Sequence, residues 1–245
     1  MPRPDGLRLQ TLLRQNRDDV RARLAAAAAE VRRPPEEVRL IAVTKSVSPG
    51  VALALAAAGQ EDLGENRLDG LEAKAAAFRE RGVAVRWHFV GHLQRNKARR
   101  VARLAHAIHG VDTRALLELL LGLRAEEGLA PGLYLQVKLA DEAAKHGLAP
   151  GDVPGLVALA RERGAPLAGL MAIAPLADGP AALREARRVF EALAELARAL
   201  PGDAFAEGRP RLSMGMSGDL EEAVGAGADD VRIGTALFRG LEEAA

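Results

Sequence analysis

The chain has 245 residues, 49% of them apolar, with 34 Lys and Arg against 33 Asp and Glu and no cysteine. That apolar content at this length supports a sizeable core and excludes a disordered chain, while the balanced charge argues against a polyanion binder, so no nucleic-acid partner is expected. Without a thiol, disulfides, thiolate catalysis and cysteine zinc sites are all excluded.

The amino terminus, Met1 to Gly6, lacks the basic and apolar regions of a leader, and the apolar run 116–123 is broken by Glu118 and Gly122. It is far shorter than the ~20 residues of a membrane span, so a cytoplasmic protein without membrane contact is expected. Val20, Leu24, Ala27 and Val31 recur at helical spacing and predict a helix over 7–31, stopped by Arg33-Pro34-Pro35. Apart from Arg39, residues 38–44 are apolar or β-branched on both alternating faces, as in a parallel strand buried on both sides, and the run stops at Lys45.

Strands over 62–66, 86–91, 107–112, 133–139, 168–174, 211–216 and 230–234 then alternate with helices over 51–58, 68–81, 95–105, 113–127, 153–163, 180–200 and 218–225, and a last short helix starts near Thr235. Eight strands alternating with helices predict a parallel sheet closed as a single (β/α)8 TIM-type barrel over 1–245, with an extra amino-terminal helix. A doubly wound open sheet is the alternative, but the strands are too many and too evenly spaced for it.

Parallel α/β folds carry their chemistry at the carboxyl ends of their strands. Lys45 stands there, where desolvation would lower its pKa and make the amine nucleophilic; the plain alternative is a lysine pointing into solvent. Strand seven ends as Leu212-Ser213-Met214-Gly215-Met216-Ser217-Gly218-Asp219 and strand eight as Val231-Arg232-Ile233-Gly234-Thr235; these ends and their loops are rich in glycine and hydroxyls and suit a phosphate, or else are ordinary capped loops. Arg232 shares a strand face with Gly234 and either pairs with a carboxylate such as Glu65 or faces a ligand. Asn66 ends strand two at the same mouth, as a ligand contact or a helix cap. His88 and His92 are four apart but straddle the end of strand three with no third ligand evident, so no metal is expected. Arg95, Lys97, Arg99, Arg100 and Arg103 form the strongest basic cluster and read as a solvated helix face. Lys145 is an anion contact or a surface loop lysine.

Several segments together resemble one family, the pyridoxal phosphate homeostasis proteins, related to the amino-terminal barrel of alanine racemase. They are Leu40-Ile41-Ala42-Val43-Thr44-Lys45, Gly64-Glu65-Asn66-Arg67, the run from Trp87 to Lys97, Lys145-His146-Gly147-Leu148, Gly169-Leu170-Met171, the run from Leu212 to Ser217, and Val231-Arg232-Ile233-Gly234-Thr235-Ala236. Departures at Ala172-Ile173-Ala174 and Lys138-Leu139-Ala140 touch the pocket rim. The resemblance implies an alanine racemase N-terminal-like barrel in which Lys45 holds pyridoxal 5′-phosphate (PLP) covalently as an internal aldimine, a Schiff base. It also implies Ser213, Ser217, Gly234 and Thr235 as candidates for the phosphate site, Asn66 for a cofactor contact and Arg232 for a place near the ring or phosphate.

Racemization of the related kind is expected to need a second domain carrying a tyrosine base, whereas this chain ends shortly after strand eight and its one tyrosine, Tyr134, lies near the start of strand five. The expected function is therefore a PLP carrier or buffer that supports vitamin B6 and amino-acid homeostasis without robust turnover. Apo PLP-dependent enzymes are candidate recipients, and the expected solution state is a monomer or weak homodimer. The alternatives are a compact PLP-dependent racemase using a rim base such as His88, His92 or Lys145, and a regulatory protein acting through the basic helix 95–105.

Overall fold

The computed structural model describes residues 6–140, 146–175 and 179–241. Strands β1 (Arg39–Val43), β2 (Asp62–Glu65), β3 (Arg86–Phe89), β4 (Ala107–Val111), β5 (Gly132–Gln136), β6 (Gly169–Met171), β7 (Arg211–Ser213) and β8 (Asp230–Ile233) pair in parallel in chain order. β8 returns to β1, with Ala42 opposite Ile233, and closes the barrel that the alternating pattern predicts.

The helices are α1 (Gly6–Glu30), α2 (Pro49–Ala57), α3 (Leu68–Glu80), α4 (Ala98–Ala102), α5 (Arg114–Glu127), α6 (Val153–Glu162), α7 (Pro180–Arg198) and α8 (Leu220–Gly225). They start where the chain supplies local stops: Pro49 follows Ser48, whose Oγ accepts from Val51 N, and Thr113 Oγ1 accepts from Leu116 N at 3.2 Å. The extra amino-terminal helix packs between α8 and α2 and so takes a place in the outer ring. Its Leu13, Val20 and Leu24 are buried there, and Asn16 donates to the carbonyls of Leu237 and Arg239. None of the helices of the described residues is long and apolar enough to cross a membrane.

One apolar layer, including Leu40, Ala42, Leu63, Ile108, Leu135, Leu170 and Leu212, fills the space between barrel and helices. The alternate residues of each strand face the barrel interior, which is mainly polar. Its floor joins Asp62 and Asp230 to Arg39, Arg86 and Arg211 from the first positions of five strands. Burial works to raise the pKa of Asp62, but the hydrogen bonds from Arg86 and His88 outweigh it and hold the carboxylate well below its usual range.

Most elements lie within a residue or two of their predicted bounds, but strands five, six and seven are shorter than read. β6 ends at Met171 and β7 at Ser213, and the apolar residues that follow, Ala172, Ala174 and Met214, are buried in the loops of the mouth. The basic helix begins as a 3₁₀ turn, Arg95–Lys97, and α4 ends at Ala102.

Candidate functional site

The site begins with strand phase. Arg39, Ile41 and Val43 face inward on β1, and Lys45 follows two residues later, beyond the strand's carboxyl end. On the adjacent strand, Asp230 and Arg232 face inward and Gly234 follows, with its missing Cβ 3.4 Å from the carbonyl oxygen of Val43. Lys45, Gly234 and Thr235 therefore lie on neighbouring strands at one mouth. Ser217 reaches the same place from the loop after β7, its Oγ accepting from Ala236 N at 3.4 Å.

Lys45 is exposed, as is Thr235. Of the two readings of Lys45, the described residues thus give the lysine pointing into solvent; the chain turns at Lys45 and Ser46 and carries the amine out of the strand's buried environment. The loop after β7 is shaped by Asp219, whose carboxylate accepts from Met216 N instead of capping α8. Gly215 has φ +95°, and a Cβ there would come within 2.5 Å of Ala223, so this turn requires glycine.

Beneath the mouth lies Arg232, 6% exposed. It does not pair with Glu65. That carboxylate points toward α3, where it receives Thr44 Oγ1 at 2.6 Å and lies 2.7 Å from Lys74 Nζ. Arg232 instead donates to two neutral oxygens, Ser213 Oγ at 2.7 Å and Ala172 O at 3.0 Å, and has no ion pair among the described residues. Burial lowers its pKa to about 10, partly offset by Asp219 and Asp230, and it remains a cation at neutral pH.

Ser213 is fully buried in the interior, below the loop that holds Ser217. Its Oγ lies 2.8 Å from His109 Nδ1; His109 Nε2 lies 2.9 Å from His88 Nδ1; His88 Nε2 lies 3.0 Å from Asp62 Oδ1. Burial, reinforced by His88 and Arg232, holds His109 well below the ordinary histidine range and therefore neutral. One assignment then satisfies every partner: Arg232 donates to Ser213, Ser213 to His109, His109 to His88, and His88 to Asp62. The line runs from the anionic floor to the cation under the mouth. Tyr134 stacks on His109 at 4.2 Å and donates to Asp230 at 2.7 Å, and burial raises its phenol well above the usual value.

His88 is therefore an interior residue and not a rim base. Asn66 is half-buried at the mouth, and α3 takes Arg67 as its N-cap residue with no side-chain cap, so Asn66 is not spent on capping. Gly91 brings its backbone against that of Asn66, where a Cβ would collide. Lys145 lies outside the described residues. In the basic cluster, Arg100 pairs with Glu72, and Arg99 and Arg103 with Glu127, which neutralizes much of that face.

Sequence reasoning missed His109 and Asp62, whose alternation with buried apolar neighbours on β4 and β2 was the available signal. It also missed Asp112 and His146. At the ends of β3 to β5, His92 Nδ1 lies 2.7 Å from Asp112 Oδ2, and His146 Nδ1 lies 3.9 Å from the same oxygen.

Residues 15–242 match the family model described as alanine racemase, N-terminal domain. The pyridoxal phosphate homeostasis proteins of Pseudomonas aeruginosa and Escherichia coli K12 are each 38% identical, over alignments covering 91% of this chain and 94% of theirs. The structure of PipY from Synechococcus elongatus with PLP bound is 37% identical, with a TM-score of 0.74 over 88% of this chain and 99% of that one. With this barrel and these relatives, the chain belongs to the pyridoxal phosphate homeostasis protein family, built on the alanine racemase N-terminal domain.

Proposed function

We propose that this protein binds PLP at the β1, β7 and β8 side of the barrel mouth, linked covalently through Lys45, and holds it for delivery to apo PLP-dependent enzymes. In this role it keeps vitamin B6 and amino-acid pools balanced without sustained turnover of its own. The observation that carries the reading is Arg232: a buried cation with only neutral partners, lying below a lysine, two hydroxyls and a glycine-lined turn. A buried charge of this kind calls for an anion, and PLP supplies one. The relatives' names and the PLP-bound PipY structure support the same ligand class.

The residues fit the group. Ser217 Oγ, the Thr235 hydroxyl and the backbone at Gly234, where no Cβ intrudes, would hold the phosphate. Arg232 would face the ring or its phosphate, and Asn66 would contact the cofactor from β2. When bound, PLP supplies an aldehyde that condenses with an amine and a conjugated ring that accepts electrons. A fixed guanidinium beside the ring nitrogen would discourage its protonation and weaken that electron acceptance, which suits a carrier. Since Lys45 is exposed, exclusion of water from its amine would come from the bound ring. Ser213, in this reading, holds Arg232 in place instead of contacting phosphate.

Of the rim bases named for the compact-enzyme alternative, His88, His92 and Lys145, the described residues keep His92 at the rim, oriented by Asp112. Incubating the PLP-loaded protein with single L-amino acids in deuterium oxide separates the two readings. A carrier shows α-carbon exchange near background and delivers PLP to an apo-enzyme; rapid exchange at enzyme-like rates would overturn it.

A further inference from the structure

Three side chains from separate parts of the chain meet on the side of the mouth across the barrel from β8. His92 follows β3, Asp112 follows β4, and His146 precedes the bridge between Leu148 and Val137 at the end of β5. One donor atom from each lies within 4.8 Å of the others. The two imidazoles stack at 4.1 Å with 16° between their planes, and both present Nδ1 toward Asp112 Oδ2.

His146 is held by its backbone. Its carbonyl accepts from Gln136 Nε2 at 2.8 Å, and Leu148 N donates to Gln136 O at 2.8 Å. Asp112 is 4% exposed, and its Oδ1 has no hydrogen-bond partner among the described residues. A buried carboxylate oxygen without a donor costs about 1–3 kcal/mol or more. A histidine–aspartate pair accounts for His92, but neither for His146 on the same oxygen nor for the unmet Oδ1. A cation among the three donors accounts for the first, and would satisfy Oδ1 as well where the carboxylate binds it through both oxygens.

We propose that His92, Asp112 and His146 bind a divalent cation of the Zn²⁺ type. Two imidazoles and one carboxylate favour Zn²⁺, Co²⁺, Ni²⁺ or Cu²⁺ over Mg²⁺ or Ca²⁺, which prefer all-oxygen shells. Metal–ligand bonds of about 2.1 Å at tetrahedral angles place donors about 3.4 Å apart. The 2.7 Å separation must open and the 3.9 Å separation close, each by less than an ångström. The rings, now nearly parallel, must also tilt until both Nδ1 lone pairs converge, and both imidazoles are exposed enough to make these adjustments and to admit the ion from solvent. Three protein donors leave a fourth position for water or for the carboxylate of a small ligand.

The test uses tag-free, full-length protein freed of PLP and stripped with a chelator, then titrated with Co²⁺ in phosphate-free buffer. One Co²⁺ per chain is expected, with the visible absorption of a four- or five-coordinate ion, and Zn²⁺ should displace it. His92→Ala, His146→Ala and Asp112→Asn should each weaken binding at least about tenfold, whereas His106→Ala should not. The two exposed histidine variants keep the test decisive if the buried Asp112→Asn fails to fold. Absence of stoichiometric Co²⁺ binding, or binding unchanged in His146→Ala, would overturn the proposal. Neither result depends on PLP binding, which is read separately from its own absorbance.

Discussion

Ser213→Ala tests the interior line directly, because one hydroxyl joins its cationic half to its histidine half. The substitution removes the acceptor of Arg232 Nη1 at 2.7 Å and the partner of His109 Nδ1 at 2.8 Å, both fully buried. A hydrogen bond to a charged group contributes about 1.5–3 kcal/mol, and a buried imidazole nitrogen left unmatched costs about 1–3 kcal/mol. These losses share one site and do not simply add, so a net loss of about 3 kcal/mol is expected. Urea unfolding of the PLP-free protein at pH 7.5 measures it, as a lower midpoint at unchanged slope. His109→Phe keeps a ring against Tyr134 while removing the nitrogen, so the double variant should show a coupling of at least about 1 kcal/mol. A loss below about 0.5 kcal/mol, or single effects that add without coupling, would refute the connected line.

Acid should weaken the fold before the carboxylates titrate. The pKa of His109 is held well below 6.5, so below that pH the unfolded chain takes up a proton that the folded chain refuses. Stability should therefore fall as pH drops below about 6.5, by up to about 1.4 kcal/mol per pH unit from this group, and His109→Phe should flatten the slope. Asp62 adds a second loss at lower pH: its depressed pKa contributes stability that is fully present above about 4 and is lost as pH falls through the folded value. Lys74→Ala leaves Glu65 buried with only Thr44 as partner and should cost about 3–5 kcal/mol, whereas Lys74→Met with Glu65→Leu should recover most of it, both read by urea unfolding. Arg232→Met should weaken PLP binding at least about tenfold, measured by titration at visible wavelengths, because it removes the cation while filling the same space.

The barrel was legible because every unit carries two independent signals, an apolar run stopped by a polar or glycine residue and then a helical period. The placement of Lys45, Gly234 and Thr235 followed, since strand ends alone put them at one mouth. Ser213 was harder. Grouping Ser213 with Ser217 as hydroxyls of one phosphate-binding strand end overlooked strand phase: Ser213 is the last residue of β7, and its hydroxyl turns inward beside Arg232. The same limit applies to His88 and His92, which look like a pair at helical spacing but are divided by the end of β3, one facing the interior and one the rim. Asp112 and His146 were out of reach, because their meeting with His92 depends on barrel closure and not on any local pattern. For Lys45 the sequence left a desolvated amine and one in solvent both open, and the structure gives the second; a buried strand alone does not decide how the next two residues turn.

The proposed function rests on Lys45 as the residue that carries PLP. Loading the protein with PLP, reducing it with borohydride and mapping the modified peptide by mass spectrometry tests this most directly. A single phosphopyridoxyl group is expected on Lys45, absent from Lys45→Ala. A label on another lysine, or a Lys45→Ala protein that is labelled as fully as the parent, would contradict it.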